Sequence, residues 1–239
     1  MVQKITLRTL AIALTTTLVG CSNTPTVQTG SEAEVVMGHL NRVDNISADM
    51  AYVDPNVDYR QYQAVRLLPL DLDHVEIVQP DKGSSLKGKS RREWTLSNND
   101  RLQLTTIFQE VVNAAINGTK GLRVTDTKGE GVLAIKAIMT RIAPSAPKDD
   151  IVSRGVGRSV VYSQGAGSLS VSFIITDDRS GEVIALMKDT RGGQQSFWGP
   201  NNRVTNLSEV RRMFKHWAGQ ISRGLTYMKS LSETTASTE

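Results

Sequence analysis

Ser168-Leu169-Ser170-Val171-Ser172-Phe173-Ile174-Ile175-Thr176, then Asp177-Asp178-Arg179-Ser180-Gly181, then Glu182-Val183-Ile184-Ala185-Leu186-Met187-Lys188-Asp189-Thr190, is the stretch that decides the fold. In an extended chain Leu169, Val171, Phe173 and Ile175 fall on one side, and Ser168, Ser170, Ser172 and Ile174 on the other. A strand of this kind is buried on one face only. The Asp-Asp-Arg-Ser-Gly run supplies turn residues, and the β-branched run after it supplies a return strand. The three pieces together predict an antiparallel hairpin with one face on a core.

Downstream of the hairpin, residues 189–203 read as a polar loop holding Gly192-Gly193 and the aromatic pair Phe197-Trp198. A helix follows. Asn206-Leu207-Ser208-Glu209 has the form of a capping box. Val210, Phe214, Trp217, Ile221, Leu225 and Met228 make an apolar stripe, with Arg211, Arg212, Lys215 and Arg223 facing out. Residues 230–239 read as a disordered polar tail.

Upstream, residues 148–167 form the longest irregular stretch, rich in glycine, with the apolar island Val160-Val161-Tyr162. A loop of that length is where function tends to sit. Residues 132–142 read as a strand closed by Pro144 and Pro147. Residues 122–125 read as a short extended piece. Ser97-Asn98-Asn99-Asp100 is a helix start, with a serine oxygen for a backbone N–H and a carboxylate at the positive end of the dipole. Leu104, Ile107, Phe108, Val111, Val112, Ala115 and Ile116 continue it at helical spacing, and Gly118 stops it. Residues 79–92 read as an exposed loop concentrating Lys82, Lys87, Lys89, Arg91 and Arg92. Residues 63–68 read as the first strand, ended by Pro69, and residues 74–78 as an extended path. The expected architecture is α+β: a two-layer sandwich in which a mostly antiparallel sheet carries two amphipathic helices on one face.

The start of the chain carries an address. Lys4 and Arg8 precede an apolar run that ends at Leu18-Val19-Gly20-Cys21. The run has the length of a secretory h-region and is shorter than the roughly twenty apolar residues of a spanning helix. Leu18, Val19, Gly20 and Cys21 resemble the lipobox of bacterial lipoproteins, in which the signal is cut before the cysteine and that cysteine takes a diacylglycerol and an N-acyl chain. Cys21 is the single cysteine of the chain, so no disulfide can form within it. The competing reading is a cysteine that merely follows an ordinary cleavage site. In the lipoproteins it resembles, Asp after the cysteine commonly retains the protein in the inner membrane. Ser22 stands here, which favours the outer membrane and its periplasmic face. The expected organisation is a signal peptide over 1–20, a lipidated tether over 21–53, a single α+β domain over 54–229, and the tail. Residues 31–50 are a marginal segment on this reading, with Val35, Val36, Leu40 and Val43 on one helical face.

The chain of 239 residues has a formal charge of +4, which falls to +2 once Lys4 and Arg8 leave with the signal. That balance is unlike a nucleic-acid binder. Beyond the signal, no apolar run is long enough to span a membrane.

Gly167-Ser168 before the alternating strand, the Asp177–Gly181 turn with Glu182-Val183, Asp189 closing the return strand, His216-Trp217-Ala218 in the last helix, and the early Tyr59 and Tyr62 together resemble one family. It is that of the proteobacterial lipoproteins grouped as domain of unknown function (DUF) 3313. The resemblance extends over roughly residues 54–228 and implies no activity and no catalytic residues.

The residues themselves point away from catalysis. His39, His74 and His216 are scattered, with no pair at metal-ligand spacing. Gly155-Val156-Gly157-Arg158 lacks the Gly-Lys-Ser/Thr ending of a phosphate loop. No serine sits in a Gly-x-Ser-x-Gly elbow. Asp149-Asp150 and Asp177-Asp178 are adjacent carboxylates of the kind that cap turns. No catalytic residue, metal or cofactor is expected beyond the covalent lipid on Cys21. Two features remain as candidate interaction sites. One is the basic group Lys87, Lys89, Arg91 and Arg92, which is either a solvated loop or a contact for an acidic surface. The other is Phe197-Trp198, either an interface hot spot or a lid over the core. The expected function is a non-enzymatic outer-membrane lipoprotein that binds an envelope protein as an accessory subunit. A binding module for an acidic polymer or lipid is the alternative, and an envelope hydrolase ranks last.

Overall fold

The structure, a computed structural model, describes residues 24–79, 93–145, 162–164, 167–192, 198–200 and 203–236, with backbone only for 162–164, 198–200, 203–205 and 233–236. Twelve strands, two α-helices and one short 3-10 helix (Tyr59–Gln61) occur among the described residues. In chain order the strands are β1 (Thr26–Val27), β2 (Val35–Val36), β3 (Leu40–Asp44), β4 (Met50–Val53), β5 (Ala64–Leu67), β6 (Glu76–Ile77), β7 (Arg123–Val124), β8 (Val132–Pro144), β9 (Tyr162–Gln164), β10 (Gly167–Asp177), β11 (Val183–Gly192) and β12 (Trp198–Pro200). The helices are α1 (Asn98–Asn117) and α2 (Arg203–Ala236).

Ten strands form one sheet with the order β1-β3-β4-β11-β10-β8-β5-β7, β2 pairing β3 and β6 pairing β8. The alternating strand β10 is central. It pairs antiparallel with both β8 and β11. Leu169, Val171, Phe173 and Ile175 are all buried, as the alternation requires. The sheet is mixed at one side, because β5 runs parallel to β7 and β8 and β6 runs parallel to β8. The architecture is thus α+β, an open, mostly antiparallel sheet under two helices.

Serine capping starts α1 as its sequence predicts. Ser97 Oγ accepts from the Asp100 N–H at 3.2 Å, and the Asp100 carboxylate accepts from the Ser97 N–H at 3.0 Å. The two helices run in the same direction. Arg211 meets Glu110 at 2.9 Å, Thr119 meets Ser222 at 2.5 Å, and Lys229 donates to the Gly121 carbonyl at 3.1 Å. Phe108 of α1, Phe173 of β10, and Phe214 and Trp217 of α2 interlock in the core. Phe108 meets Phe214 edge-on at 5.5 Å, and Phe173 meets Trp217 edge-on at 6.3 Å. Edge-to-face packing of this kind suits the aromatic quadrupole.

Four boundaries differ from the sequence reading. The domain does not begin at residue 54. β1, β2, β3 and β4 lie in the stretch expected to be a tether, and Leu40, Val43, Tyr52 and Val53 are buried. β4 pairs with β11 and so extends the sheet past the hairpin. Residues 31–50 are not helical, because Met37 and Gly38 both take left-handed φ, 52° and 80°, and fold β2 back on β3. Next, α2 begins one turn before Asn206, so the predicted capping box lies inside the helix. Its Asn-x-x-Glu spacing falls where Leu207 already packs against the core. Finally, α2 continues through much of the expected tail. Leu231 packs on the core, and Ser232 Oγ accepts from the Tyr59 N–H at 3.2 Å.

Candidate functional site

The residues that carried the resemblance turn out to be partners. Trp217 Nε1 donates to Asp189 Oδ2 at 2.8 Å, joining α2 to the far end of the hairpin. Asp189 is fully buried, and its carboxylate also accepts from Arg191 Nε at 2.6 Å and from the Asp49 N–H at 3.1 Å. A buried carboxylate is tolerable when it is held by several donors of this sort. At the turn end, Tyr62 donates to Asp177 Oδ2 at 2.9 Å. Asp177 Oδ1 caps the turn by accepting from the N–H groups of Arg179 and Ser180. Burial alone would raise the Asp177 carboxyl, but donors from Ser180, Tyr62 and Arg179 outweigh it and hold it below the usual range. Burial, with the Asp177 hydrogen bond, pushes the Tyr62 hydroxyl well above its usual value. Asp178 pairs with Arg66 on the other face of the sheet, Nε to Oδ2 at 3.0 Å, and that guanidinium lowers the Asp178 carboxyl. Tyr59 is buried with its hydroxyl between the carbonyls of Ile184 at 2.9 Å and Asp54 at 3.1 Å. These residues hold the hairpin to the first turn and the last helix.

Gly167 has a reason of its own. Its φ is +108°, and a Cβ there would lie 2.1 Å from the Ala143 carbonyl oxygen. Only glycine lets β10 start this close to the end of β8.

Histidine placement is more specific than the spacing implied. His39 Nδ1 lies 2.9 Å from the Met37 carbonyl and Nε2 lies 2.8 Å from the Val183 carbonyl. Two carbonyls at the two nitrogens are both satisfied only when both nitrogens carry N–H, so the arrangement favours the imidazolium form. The Val183 and Met37 carbonyls, with Asp54 and Glu182 nearby, raise its pKa above the ordinary value. The ligand atoms of His39, Asp54 and Glu182 lie within 4.8 Å of one another, a grouping that residue spacing did not reveal. A metal there would have to displace one of the carbonyls from the ring. His216 goes the other way: burial lowers its pKa, and Arg191 adds to the effect. His74 is exposed.

Among the concave regions that flank α2, two stand at different heights and are mostly apolar. The first is a cleft of about 390 Å³ between the N-terminal ends of α1 and α2, lined by Trp94, Leu96, Ile142, Leu169, Leu207 and Val210 among others. The second is a groove of about 570 Å³ between the later half of α2 and strands β3, β4 and β11. It exists because the sheet is wider than its cover. Eight strands in sequence across the sheet span roughly 34 Å at about 4.8 Å each. Two helices at about 10 Å each span roughly 20 Å. The apolar face of the β3–β4 side is therefore left partly open beside α2.

Of the sequence-predicted interaction residues, Leu18, Val19, Gly20, Cys21, Lys87, Lys89, Arg91, Arg92 and Phe197 lie outside the described residues, as does most of the glycine-rich stretch 148–167. Trp198 lies in β12, whose backbone pairs with β9 in a separate two-stranded sheet. The ends of these segments can nonetheless be placed. Gln79 and Trp94, at the base of the basic loop, are clamped by two hydrogen bonds of 2.7 and 3.0 Å. Ser145, Gly167 and Gly192 lie at the ends of β8, β10 and β11, where Gly167 pairs with Pro144 and Ser168 with Gly192. All of these bases stand at the end of the sheet where both helices begin and where the smaller cleft opens. The concave regions are not legible in the sequence, because each is a gap between elements distant in the chain.

Comparison with known proteins agrees with a shared family and goes little further. The family profile described as "Protein of unknown function (DUF3313)" matches residues 40–221. No curated protein matches. Among solved structures, a PelC dodecamer variant from Paraburkholderia phytofirmans is 11% identical, covering 68% of this chain and 88% of that one with a TM-score of 0.33. Protein XCC0632 from Xanthomonas campestris is 9% identical, with coverage of 73% and 88% and a TM-score of 0.42. A putative neuraminyllactose-binding hemagglutinin homolog from Helicobacter pylori is 11% identical, with coverage of 74% and 91% and a TM-score of 0.36.

Proposed function

This chain belongs to the DUF3313 family, and from that premise we propose that it is a non-enzymatic lipoprotein of the outer membrane. It faces the periplasm and binds an envelope protein as an accessory subunit. The observation that carries the binding reading is the common end of the sheet. There the apolar cleft between the helix N-termini lies beside the bases of the basic loop, the glycine-rich stretch and the Phe197-Trp198 loop. Binding surfaces are commonly built this way, from loops set on a rigid layer. The anchoring half of the proposal rests on Leu18-Val19-Gly20-Cys21. Among the described residues, the polar networks at Asp177, Asp178 and Asp189 bind the fold's own donors, which fits a scaffold rather than a catalyst.

The test is in-cell crosslinking followed by purification from solubilised membranes. One protein recovered in stoichiometric amount, and lost on replacing Leu207 and Val210 by Asp, supports the accessory-subunit reading. Recovery of the chain with no protein partner contradicts it.

A second reading is favoured by charge. Both helix N-termini, positive ends of their dipoles, share an end with the base of the loop that carries Lys87, Lys89, Arg91 and Arg92. An acidic polymer or lipid bound there would be released by salt. It would also be lost on neutralising those four residues.

A further inference from the structure

We propose that the groove beside α2 holds an acyl chain of the lipid carried on Cys21 of the same molecule. This rests on the lipoprotein reading given above and adds to it a seat for the lipid. The wall is apolar for most of its length, with Val43, Ile46, Ala51, Met187, Ile221 and Leu225 lining it. At about 570 Å³ it falls within the size range of small-molecule sites, about 300–1,000 Å³.

Chain length names the occupant. Pro25 lines the groove, and Cys21 is four residues before it. Four residues span at most about 14 Å, so the lipidated cysteine cannot lie far from the groove mouth. The register fixes which end is the mouth. Thr26 pairs with Asp44, which sets Pro25 by Asn45, at the end of β3 away from the β4 residue Val53.

Polarity runs the same way. At the mouth Asn45, Ser47 and Gln220 are polar. Gln220 is 8% exposed, its Nε2 donates to Ser47 Oγ at 3.0 Å, and its Oε1 has no donor among the described residues. A buried acceptor without a donor is costly. The N–H of an N-acyl cysteine is a donor at the head of an apolar chain, and it supplies what Gln220 Oε1 lacks. From there the groove is mostly apolar toward Leu225 and Met228, with Arg223 the one charged residue on its wall. Gly224 opens its helix wall, with no atom within 4 Å of where a Cβ would stand.

The experiment uses full-length protein from bacteria fed a palmitate bearing a terminal diazirine. Intact mass first reports whether Cys21 carries lipid. Illumination of the monomeric protein in detergent is then followed by mapping of the cross-linked peptides. The expected result is label on residues 221–228 and 51–53. It should fall to background in Gly224→Leu, a substitution that fills the groove from an open helical position and, as it replaces a mid-helix glycine, does not lower the melting temperature. Lipidated protein whose label reaches only detergent, or residues away from the groove, overturns the proposal. Label in the groove of Cys21→Ser from added photoactivatable phosphatidylcholine, with the wild-type chain's own lipid elsewhere, also overturns it and assigns the groove to a separate lipid. Protein of unlipidated mass removes the anchor itself, and the mass distinguishes that failure from the other two.

Discussion

Asp189 is the residue on which most depends. It is buried, and three donors from three parts of the chain converge on it. Trp217→Phe keeps an aromatic ring at the site, though a smaller one, and removes one donor. It should cost about 1–3 kcal/mol in urea unfolding, the range for a buried acceptor that loses a partner. Trp217→Ala removes the packing as well and should cost about 3–5 kcal/mol. A cost near zero for Trp217→Phe would show that the hydrogen bond to Asp189 carries none of the effect. Gly167→Ala should destabilise by more than about 1–2 kcal/mol, since the strained φ adds to a collision with backbone that cannot move aside. The histidines give opposite signs with pH. The folded pKa of His39 is raised from 6.5, so its contribution is complete below that value and is lost as pH rises through the folded pKa. His216 has a lowered folded pKa. It favours the folded state above 6.5, and that advantage is lost as pH falls toward the folded pKa. NMR titration of the two rings should place the His39 midpoint above 6.5 and the His216 midpoint below it. The reverse order would contradict both environments.

At the scale of elements, legibility followed the strength of local signals. The hairpin was readable because alternation and turn chemistry agreed over β10 and β11. α1 was readable because its capping box and apolar stripe coincide. β1 through β4 were not. These strands are two to five residues long, too short to show a period, and their tight turn places Met37 where Asn or Gly is the usual signal. What holds them is pairing to β11, a partner more than a hundred positions away. The extra turns of α2 were hidden for a similar reason. Ser232 and Leu231 belong to a polar run in sequence, and contact with Tyr59 and the core helps to keep them helical. Ser232→Ala should therefore cost about 0.5–1.5 kcal/mol and speed hydrogen exchange at the Tyr59 amide. An unchanged Tyr59 amide would mean that the end of α2 is not seated there. The candidate interaction residues were legible as a charge cluster and an aromatic pair. That their loops share one end of the sheet was not, because it follows from strand order.

For the whole molecule, the mismatch between a sheet of eight strands across and two helices decides where surfaces are left over. The helix N-termini leave a cleft at the loop-bearing end, and the uncovered β3–β4 side leaves a groove near the start of the domain. On the proposed lipoprotein reading, one such surface serves the anchor and the other a partner. No described helix is long and apolar enough to cross a membrane. The most direct measurement is membrane fractionation of the wild type beside Cys21→Ser. The account predicts wild-type protein in the outer-membrane fraction. The variant should be water-soluble, or retained uncleaved in the inner membrane. Unchanged outer-membrane fractionation of Cys21→Ser would contradict it.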